Sequence, residues 1–176
     1  MPKLSSGWER DDEESDLMPG RLKRIQVAIA VMERNGRYLI SRRHQGDHLG
    51  GFWEFPGGKR RVGESWEACL CRELIEELGI EVHPWKRLPS LSFRYPDRQV
   101  CLAVFWCTIR RGSPQPLDCQ EVRWVPAQQL HRYRFPPADR QLIQQLWTTT
   151  PLHRPAHRDI IRLRVKKQSP SRRKAQ

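Results

Sequence analysis

The pattern of apolar and polar positions predicts strands and helices in the central part of the chain. IQVAIAVM (25–32) is an apolar, partly β-branched run that is typical of a buried strand. Asn35-Gly36 follows and is a strong hairpin signal, so RYLISRR (37–43) is predicted to be the returning strand. HQGDHLGG (44–51) is predicted to be a loop, and it leads into the short aromatic stretch FWEF (52–55).

A helix is predicted to begin after Ser65 and to end at about Leu78. The Ser65 hydroxyl is a suitable N-cap, and Gly79 is a suitable C-terminal stop. Apolar residues recur at a spacing of three and four and predict an apolar helix face formed by Cys71, Leu74, Ile75 and Leu78.

The second half of the chain contains three more predicted strands and a second helix. LPSLSFRY (88–95) and RQVCLAVFWCTIR (98–110) flank Pro96-Asp97 and predict a strand pair. After a loop, EVRWVP (121–126) predicts a last short strand, and ADRQLIQQLW (138–147) has helical spacing. The resulting order, β-β-α-β-β-β-α, indicates a mixed α/β fold.

Charge divides the chain into three segments. The formal net charge is +12, yet residues 1–24 carry five basic and six acidic side chains, whereas residues 151–176 carry nine basic and one acidic. We therefore expect a flexible leader (1–23), a folded domain (24–148) and a basic, disordered tail (149–176). A basic surface suits an anionic small molecule or a nucleic acid, and the tail leaves a nucleic-acid contact possible without making it the main substrate.

The five cysteines are predicted to be small buried hydrophobic residues, since their number is odd and no C-x-x-C pair occurs. This favours a reducing compartment. The N-terminal residues are polar and acidic, unlike a secretory signal, and no apolar run approaches the ~18 residues of a membrane span. The expected location is the cytoplasm, with no membrane partner.

The predicted first helix carries three glutamates, Glu73, Glu76 and Glu77, on one face, with Glu64 before its first turn. A solvated acidic face is the simplest interpretation. However, Gly57-Gly58 precedes the helix and allows backbone to approach a cation, and Arg72 can orient a glutamate. Carboxylate oxygens with a backbone carbonyl form a hard oxygen site that suits Mg²⁺ or Mn²⁺.

The same residues resemble a known family. Gly58, Glu64 and R-E-L-I-E-E-L-G-I (72–80) match the Nudix box, G-x5-E-x7-R-E-U-x-E-E-x-G-U, at every fixed position. EFPGGK (54–59), YPDR (95–98) and FPPAD (135–139) are similar to stretches of MutT-type 8-oxo-dGTP diphosphatases. The resemblance implies an α/β/α sandwich around a mixed β-sheet. It also implies metal-dependent hydrolysis of a nucleoside triphosphate by water attack at the β-phosphorus, releasing a nucleoside monophosphate and pyrophosphate.

The resemblance also implies roles for single residues. Glu73, Glu76 and Glu77 would bind the metal with the Gly57 carbonyl. Glu73, Asp118 and Glu121 are alternative general bases, of which Asp118 fits the MutT-type position better. Structural roles in the motif fall to Gly58, Glu64, Arg72 and Gly79.

Substrate contacts are implied for residues of the loop and of two later stretches, namely Arg43, Glu54, Phe55, Pro56, Gly57, Arg98 and Asp139. Phe55 is alternatively a core aromatic residue, Arg43 part of a solvated strand end, and Arg98 a partner of Asp97. Asp139 departs from the Asn that reads a damaged purine in similar bacterial enzymes, because an ionised carboxylate only accepts hydrogen bonds. Oxidised purine nucleotides are the first expectation.

Alternative functions remain open at this point. A CTP or modified-dCTP pyrophosphohydrolase is one, because an acceptor at Asp139 suits an exocyclic amino group. A triphosphorylated or capped RNA end is another possible substrate. A non-catalytic module that recognises damaged bases is a third alternative, although such modules usually lack an intact box and every box carboxylate is present here.

Overall fold

Nine strands and two α-helices lie within residues 22–149, the part of the chain that the computed structural model describes. The strands are β1 (Lys23–Val31), β2 (Glu33–Arg34), β3 (Arg37–Arg42), β4 (Trp53–Glu54), β5 (Gly57–Lys59), β6 (Glu81–Arg87), β7 (Leu91–Arg94), β8 (Arg98–Arg111) and β9 (Glu121–Pro126). The helices are α1 (Trp66–Leu78), α2 (Pro137–Thr149) and a 3-10 helix (Ala127–Arg132). Apart from their edges, the predicted leader and tail lie outside the described residues.

The strands form two sheets. The first has the order β5-β1-β8-β6, and β7 also pairs with β8. It is mixed, as predicted, because β1 runs parallel to β8 from Lys23↔Arg98 to Val31↔Trp106, while the other pairs are antiparallel. In the second sheet β3 pairs with β2, β4 and β9.

The predicted hairpin between residues 25–32 and 37–43 is confirmed only at its turn. Asn35 and Gly36 have φ of 54° and 72°, as a type I′ turn requires. The paired segment beside the turn is β2 with β3, with Glu33↔Tyr38 and Arg34↔Arg37, and the backbone N–H of Leu39 also donates to the Met32 carbonyl (3.1 Å). The returning strand is present as β3, but it does not pair along β1, whose edges are occupied by β5 and β8.

Strand β6 was not predicted, and the strand expected over 88–95 is shorter, at Leu91–Arg94. In β6 only Val82 is buried, and Pro84 lies at a register shift against β8. A polar, bulged edge strand with one buried side chain has no clear period of two, which explains why its pattern resembles a loop.

Side chains of β1 alternate between two cores and place one helix on each face of the first sheet. Ile25, Val27 and Ile29 pack in the cluster that contains α2, whereas Ala28 and Ala30 pack in the cluster that contains α1. This arrangement is the expected α/β/α sandwich.

The apolar face of α1 differs from the expected one. Its buried residues are Cys69, Leu70, Leu74 and Leu78, whereas Ile75 is half exposed. The buried face is therefore displaced toward Cys69 and Leu70. Each fully buried leucine contributes about 1.5–3 kcal/mol to this packing.

The prediction that the cysteines are small buried residues holds for Cys69, Cys107 and Cys119, and all five cysteines are free thiols. Cys71 and Cys101 are partly buried. No helix in the described part of the chain is both long and apolar enough to cross a membrane.

Candidate active site

Two glycines, Gly57 and Gly58, bring the chain close to β1 and to α1. Gly57 has a φ of 149°, and a Cβ there would lie 2.0 Å from the Ala28 carbonyl oxygen. A Cβ at Gly58 would lie 2.2 Å from the Cδ atom of Glu73. Any side chain at Gly58 would displace the Glu73 carboxyl group, so glycine is what allows that group to lie on the loop.

The carbonyl of Gly57 points toward the same side of β5 as the carbonyl of Lys59. Pro56 accepts a hydrogen bond from the backbone N–H of Ala30 (2.8 Å), and Arg60 donates to Gln26 (2.9 Å), so alternate residues bond to β1. The residues between them direct their carbonyls away from β1. The Lys59 carbonyl accepts from the Arg72 guanidinium (3.2 Å), which places this side next to α1.

Arg72 is the centre of a charged hydrogen-bond network. Its Nε and Nη2 atoms donate to the two carboxylate oxygens of Glu64 at 2.8 and 3.0 Å. Its Nη1 donates to Glu73 (2.7 Å) and Glu76 (3.2 Å). The bidentate bond from Arg72 is the main cause that lowers the pKa of Glu64 to about 2. Arg72 and Glu64 thus fix the loop against the helix.

Three helix glutamates differ in their environments. The Glu76 side chain is half exposed, whereas Glu73 is mostly buried and its pKa is raised by burial, with Arg72 opposing the shift. The pKa of Glu77 is raised well above its usual range, first by burial and then by the charges of Glu54, Glu73 and Asp118. Negative charge therefore converges on Glu77.

The loop before β9 brings Asp118 to the end of α1. The backbone N–H groups of Leu117 and Asp118 both donate to the Glu77 carbonyl, at 2.9 and 3.1 Å. His44 Nε2 lies 4.0 Å from the Asp118 carboxylate, which is half exposed. His44 was not among the residues singled out from the sequence, because only the fold brings it to Asp118.

Glu121, the other candidate base from this region, faces different partners. Its carboxylate is bonded by the Arg123 guanidinium and lies 4.0 Å from that of Arg42, the residue opposite it in β3. The structure thus brings Asp118, rather than Glu121, to the glutamate cluster.

Arg43, Glu54, Phe55 and Pro56 lie between the carboxylates and the core, and they are called the wall of the site below. Arg43 is buried, donates to Glu54 (2.9 Å) and to the His48 carbonyl (2.8 Å), and is not a solvated strand end. Phe55 is fully buried, stacked on Phe135 with ring centroids 6.0 Å apart. Its side chain is a core aromatic, the alternative that the sequence left open for this residue.

Asp139 lies at the N-terminus of α2 against the same wall. It is buried, and its carboxylate accepts a hydrogen bond from the backbone N–H of Phe55 (3.1 Å). Burial and, next, the charge of Glu54 raise its pKa to about 7. At neutral pH this carboxyl group is therefore partly ionised and partly protonated. The ionised form only accepts hydrogen bonds, whereas the protonated form also donates one.

The turn between β7 and β8 places Tyr95 near Asp139, and Arg98 begins β8 directly after this turn. Arg98 donates to Asp97 through Nε (2.8 Å) and Nη2 (2.5 Å), as the structural alternative for this residue anticipated. Burial raises the pKa of Tyr95, and the charge of Asp139 raises it further, which places the two side chains close together. Tyr95 was missed as a site residue, although it opens the YPDR stretch that pointed to this turn.

The carboxylates suit a hard divalent cation, although no group of three or more potential ligands within residues 22–149 stands in a ready-made metal-binding arrangement. Glu73 and Glu76 are turned toward Arg72. The donor set is nonetheless made of oxygens, and burial together with the charges of Glu54, Glu73 and Asp118 raises the pKa of Glu77. A cation such as Mg²⁺ would compensate these charges.

Comparison with known proteins agrees with this geometry. The family model described as "NUDIX domain" matches residues 27–145. The chain belongs to the NUDIX family. It is 34% identical over 127 residues to the 8-oxo-dGTP diphosphatase of Escherichia coli, covering 71% of this chain and 98% of that protein. It is 32% identical to the CTP pyrophosphohydrolase of Escherichia coli, covering 70% of this chain and 91% of that protein.

The solved structures point the same way. The solution structure of the Escherichia coli ORF135 protein aligns with a TM-score of 0.63 at 31% identity, covering 74% of this chain and 95% of that one. The chain is thus a NUDIX hydrolase, with the fold that its sequence predicted. A non-catalytic module is not favoured, since these relatives are named as hydrolases and the box carboxylates are all present.

Proposed function

We propose that this NUDIX hydrolase converts oxidised purine nucleoside triphosphates, 8-oxo-dGTP above all, to the monophosphate and pyrophosphate, and so limits mutation. The observation that carries the proposal is the convergence of Glu54, Glu73 and Asp118 on the buried Glu77, whose pKa is raised first by burial and then by these charges. Such a cluster is suited to hold cations beside a polyphosphate. The positive net charge of the chain favours encounter with that anion.

The residues that would hold the metal are Glu73, Glu76, Glu77 and the Gly57 carbonyl. Bound Mg²⁺, with Mn²⁺ as a substitute, supplies charge neutralisation for the phosphates and lowers the pKa of bound water. Arg72 and Glu64 keep the loop and the helix in register before substrate binds.

Asp118 is the proposed general base. Its carboxylate is exposed enough to reach water, and its backbone is anchored to Glu77 (3.1 Å). Deprotonation of the water that attacks the β-phosphorus needs a carboxylate within hydrogen-bond reach of that water. Glu121 is less suitable because Arg42 and Arg123 already engage it.

Asp139 is the proposed base reader. With a pKa near 7, its protonated form donates to the O6 carbonyl of an oxidised guanine. Tyr95 and Arg98 lie at the turn between β7 and β8. Arg43 donates a hydrogen bond to Glu54 and so stabilises the wall of the site beside Asp139. Phe55 and Pro56 contribute to this wall through their backbone and packing, since both side chains are buried.

A second candidate function is hydrolysis of CTP or a modified dCTP, and the ionised form of Asp139 favours it. An acceptor-only carboxylate suits the exocyclic amino group of cytosine. The relative named as a CTP pyrophosphohydrolase supports this candidate as well. We further propose a cytoplasmic location, which the five free thiols support.

One set of assays tests the proposal. With Mg²⁺, 8-oxo-dGTP is expected to give 8-oxo-dGMP and pyrophosphate, and to exceed dGTP, CTP, 5-substituted dCTP and a triphosphorylated RNA oligomer in kcat/KM. Release of orthophosphate would reject attack at the β-phosphorus, and a higher kcat/KM for CTP would select the second candidate. Glu77→Gln should abolish turnover, whereas Glu81→Gln, an exposed glutamate paired with Arg111, should not.

A further inference from the structure

A shallow groove lies between β7 and the N-terminal half of α2, outside the candidate active site. It has a volume of about 660 Å³ and is lined by Phe93 and Arg94 on the strand and by Pro137, Arg140 and Gln144 on the helix. Phe93 contacts Tyr95 edge to face, with ring centroids 4.9 Å apart, so the groove continues from the turn beside Asp139.

Arg94 and Arg140 line the groove, and both residues are exposed. Within residues 22–149, no carboxylate lies within 4.0 Å of Arg94 or Arg140. The floor is partly apolar, because Phe93 and Pro137 are only partly exposed. A short acidic peptide with some apolar neighbours is the chemistry that such a surface accepts.

The chain itself contains such a segment. ERDDEESD (9–16) has six carboxylates against one arginine, and Leu17 and Met18 follow it. We propose that residues 9–16 dock in the groove, with their carboxylates paired to Arg94 and Arg140. The proposal does not rest on the proposed substrate, because the groove and the segment are defined without it.

Sheet register makes the contact reachable. Arg24 in β1 is paired with Gln99 in β8, which is paired with Arg94 in β7. Two strand spacings separate the start of β1 from Arg94, about 10 Å. The six residues between Asp16 and Lys23 can span about 20 Å, which is long enough for the acidic segment to contact the groove of its own chain.

Trypsin cleavage after Arg10 tests the proposal, because Arg10 lies inside the acidic segment. In the full chain, release of the peptide 1–10 is followed by mass spectrometry at early times. The double variant Arg94→Gln, Arg140→Gln leaves the segment unchanged and should be cleaved there about threefold faster or more, since cleavage follows the undocked population. In wild type, salt of about 0.5 M should produce the same acceleration.

The matched control is Arg110→Gln with Arg132→Gln, two exposed arginines on other elements, which should be cleaved at the wild-type rate. Equal cleavage of wild type, groove variant and control would overturn the proposal. So would acceleration only when the basic residues after 150 are removed, because the tail would then be the partner. Protection that rises with protein concentration would identify a second copy as the partner and overturn docking within one chain.

Discussion

The Asp139 carboxylate accepts a hydrogen bond from the backbone N–H of Phe55, the residue that follows Glu54 in the wall of the site. The bond stabilises the ionised form, whereas burial and the charge of Glu54 oppose ionisation and raise the pKa of Asp139 to about 7. Asp139, the proposed base reader, therefore changes its hydrogen-bonding character within the physiological pH range.

Substrate preference should consequently depend on pH. The ratio of kcat/KM for 8-oxo-dGTP to that for CTP should fall about tenfold between about pH 6 and about pH 8, as Asp139 loses its donor. Asp139→Asn carries a donor and an acceptor at every pH, so its ratio should be flat. A wild-type ratio that does not change with pH would contradict base reading by Asp139.

Stability should also depend on the ionisation of Asp139. Its pKa rises from 3.8 to about 7 on folding, so the stabilisation is complete below about pH 4 and is lost as pH rises toward 7. The loss amounts to at most about 4 kcal/mol. The free energy of unfolding of Asp139→Asn, measured with urea across this range, should lack that decline. Parallel pH profiles for both proteins would rule out the raised pKa.

The general base can be distinguished by two amide substitutions. Asp118→Asn should lower kcat about 10²–10⁴-fold, the contribution of a positioned general base. Glu121→Gln should change kcat by less than about threefold, because its carboxylate pairs with arginines on the exposed surface. The reverse order of losses would assign the base to Glu121, and circular dichroism would verify that both variants fold.

Gly58→Ala tests whether activity requires the Glu73 carboxyl group to lie against the loop. The added methyl group would overlap the Glu73 carboxyl group at 2.2 Å, so kcat should fall at least about tenfold while the fold loses about 1–3 kcal/mol. Gly46→Ala is the control, because a Cβ there meets nothing within 4 Å. Wild-type activity in Gly58→Ala would show that Glu73 need not lie on the loop.

Arg72→Lys keeps the charge of Arg72 but removes the planar pair of donors that holds Glu64. The free energy of unfolding should fall by about 1.5–3 kcal/mol, the range for hydrogen bonds to charged groups. Arg61→Lys should cost little, because the Arg61 guanidinium lies 4.0 Å from Glu76 and both side chains are about half exposed. If the two variants lost equal stability in urea titrations, the bidentate bond would not explain how Arg72 stabilises the fold.

The sequence was sufficient where local geometry decides the structure. The cap at Ser65, the stop at Gly79 and the turn at Asn35-Gly36 all depend on residues a few positions apart, and the structure agrees with each. The expectation that Arg72 and Glu64 hold the loop against the helix likewise came from one short motif, and their hydrogen bonds agree with it.

Long-range pairing accounts for what the sequence left undecided. The choice of β8 rather than β3 as the partner of β1 depends on competition for strand edges, which no local pattern records. The same holds for Asp118 and Glu121, three residues apart, which face α1 and the arginines respectively only because the loop crosses the end of the helix. Arg98 donates to Asp97, its immediate neighbour, whereas the sequence allowed either this contact or a contact with substrate.

The last turn of the catalytic helix is closed by residues from almost forty positions later. Gln115 donates to the Leu78 carbonyl (3.0 Å), and Leu117 and Asp118 donate to that of Glu77. The motif that identifies the family is therefore not a portable module. Residues 57–80, grafted onto another scaffold, would fray at Glu77 unless the host supplied equivalent N–H donors, so a transplant of the chemistry must include residues 115–118.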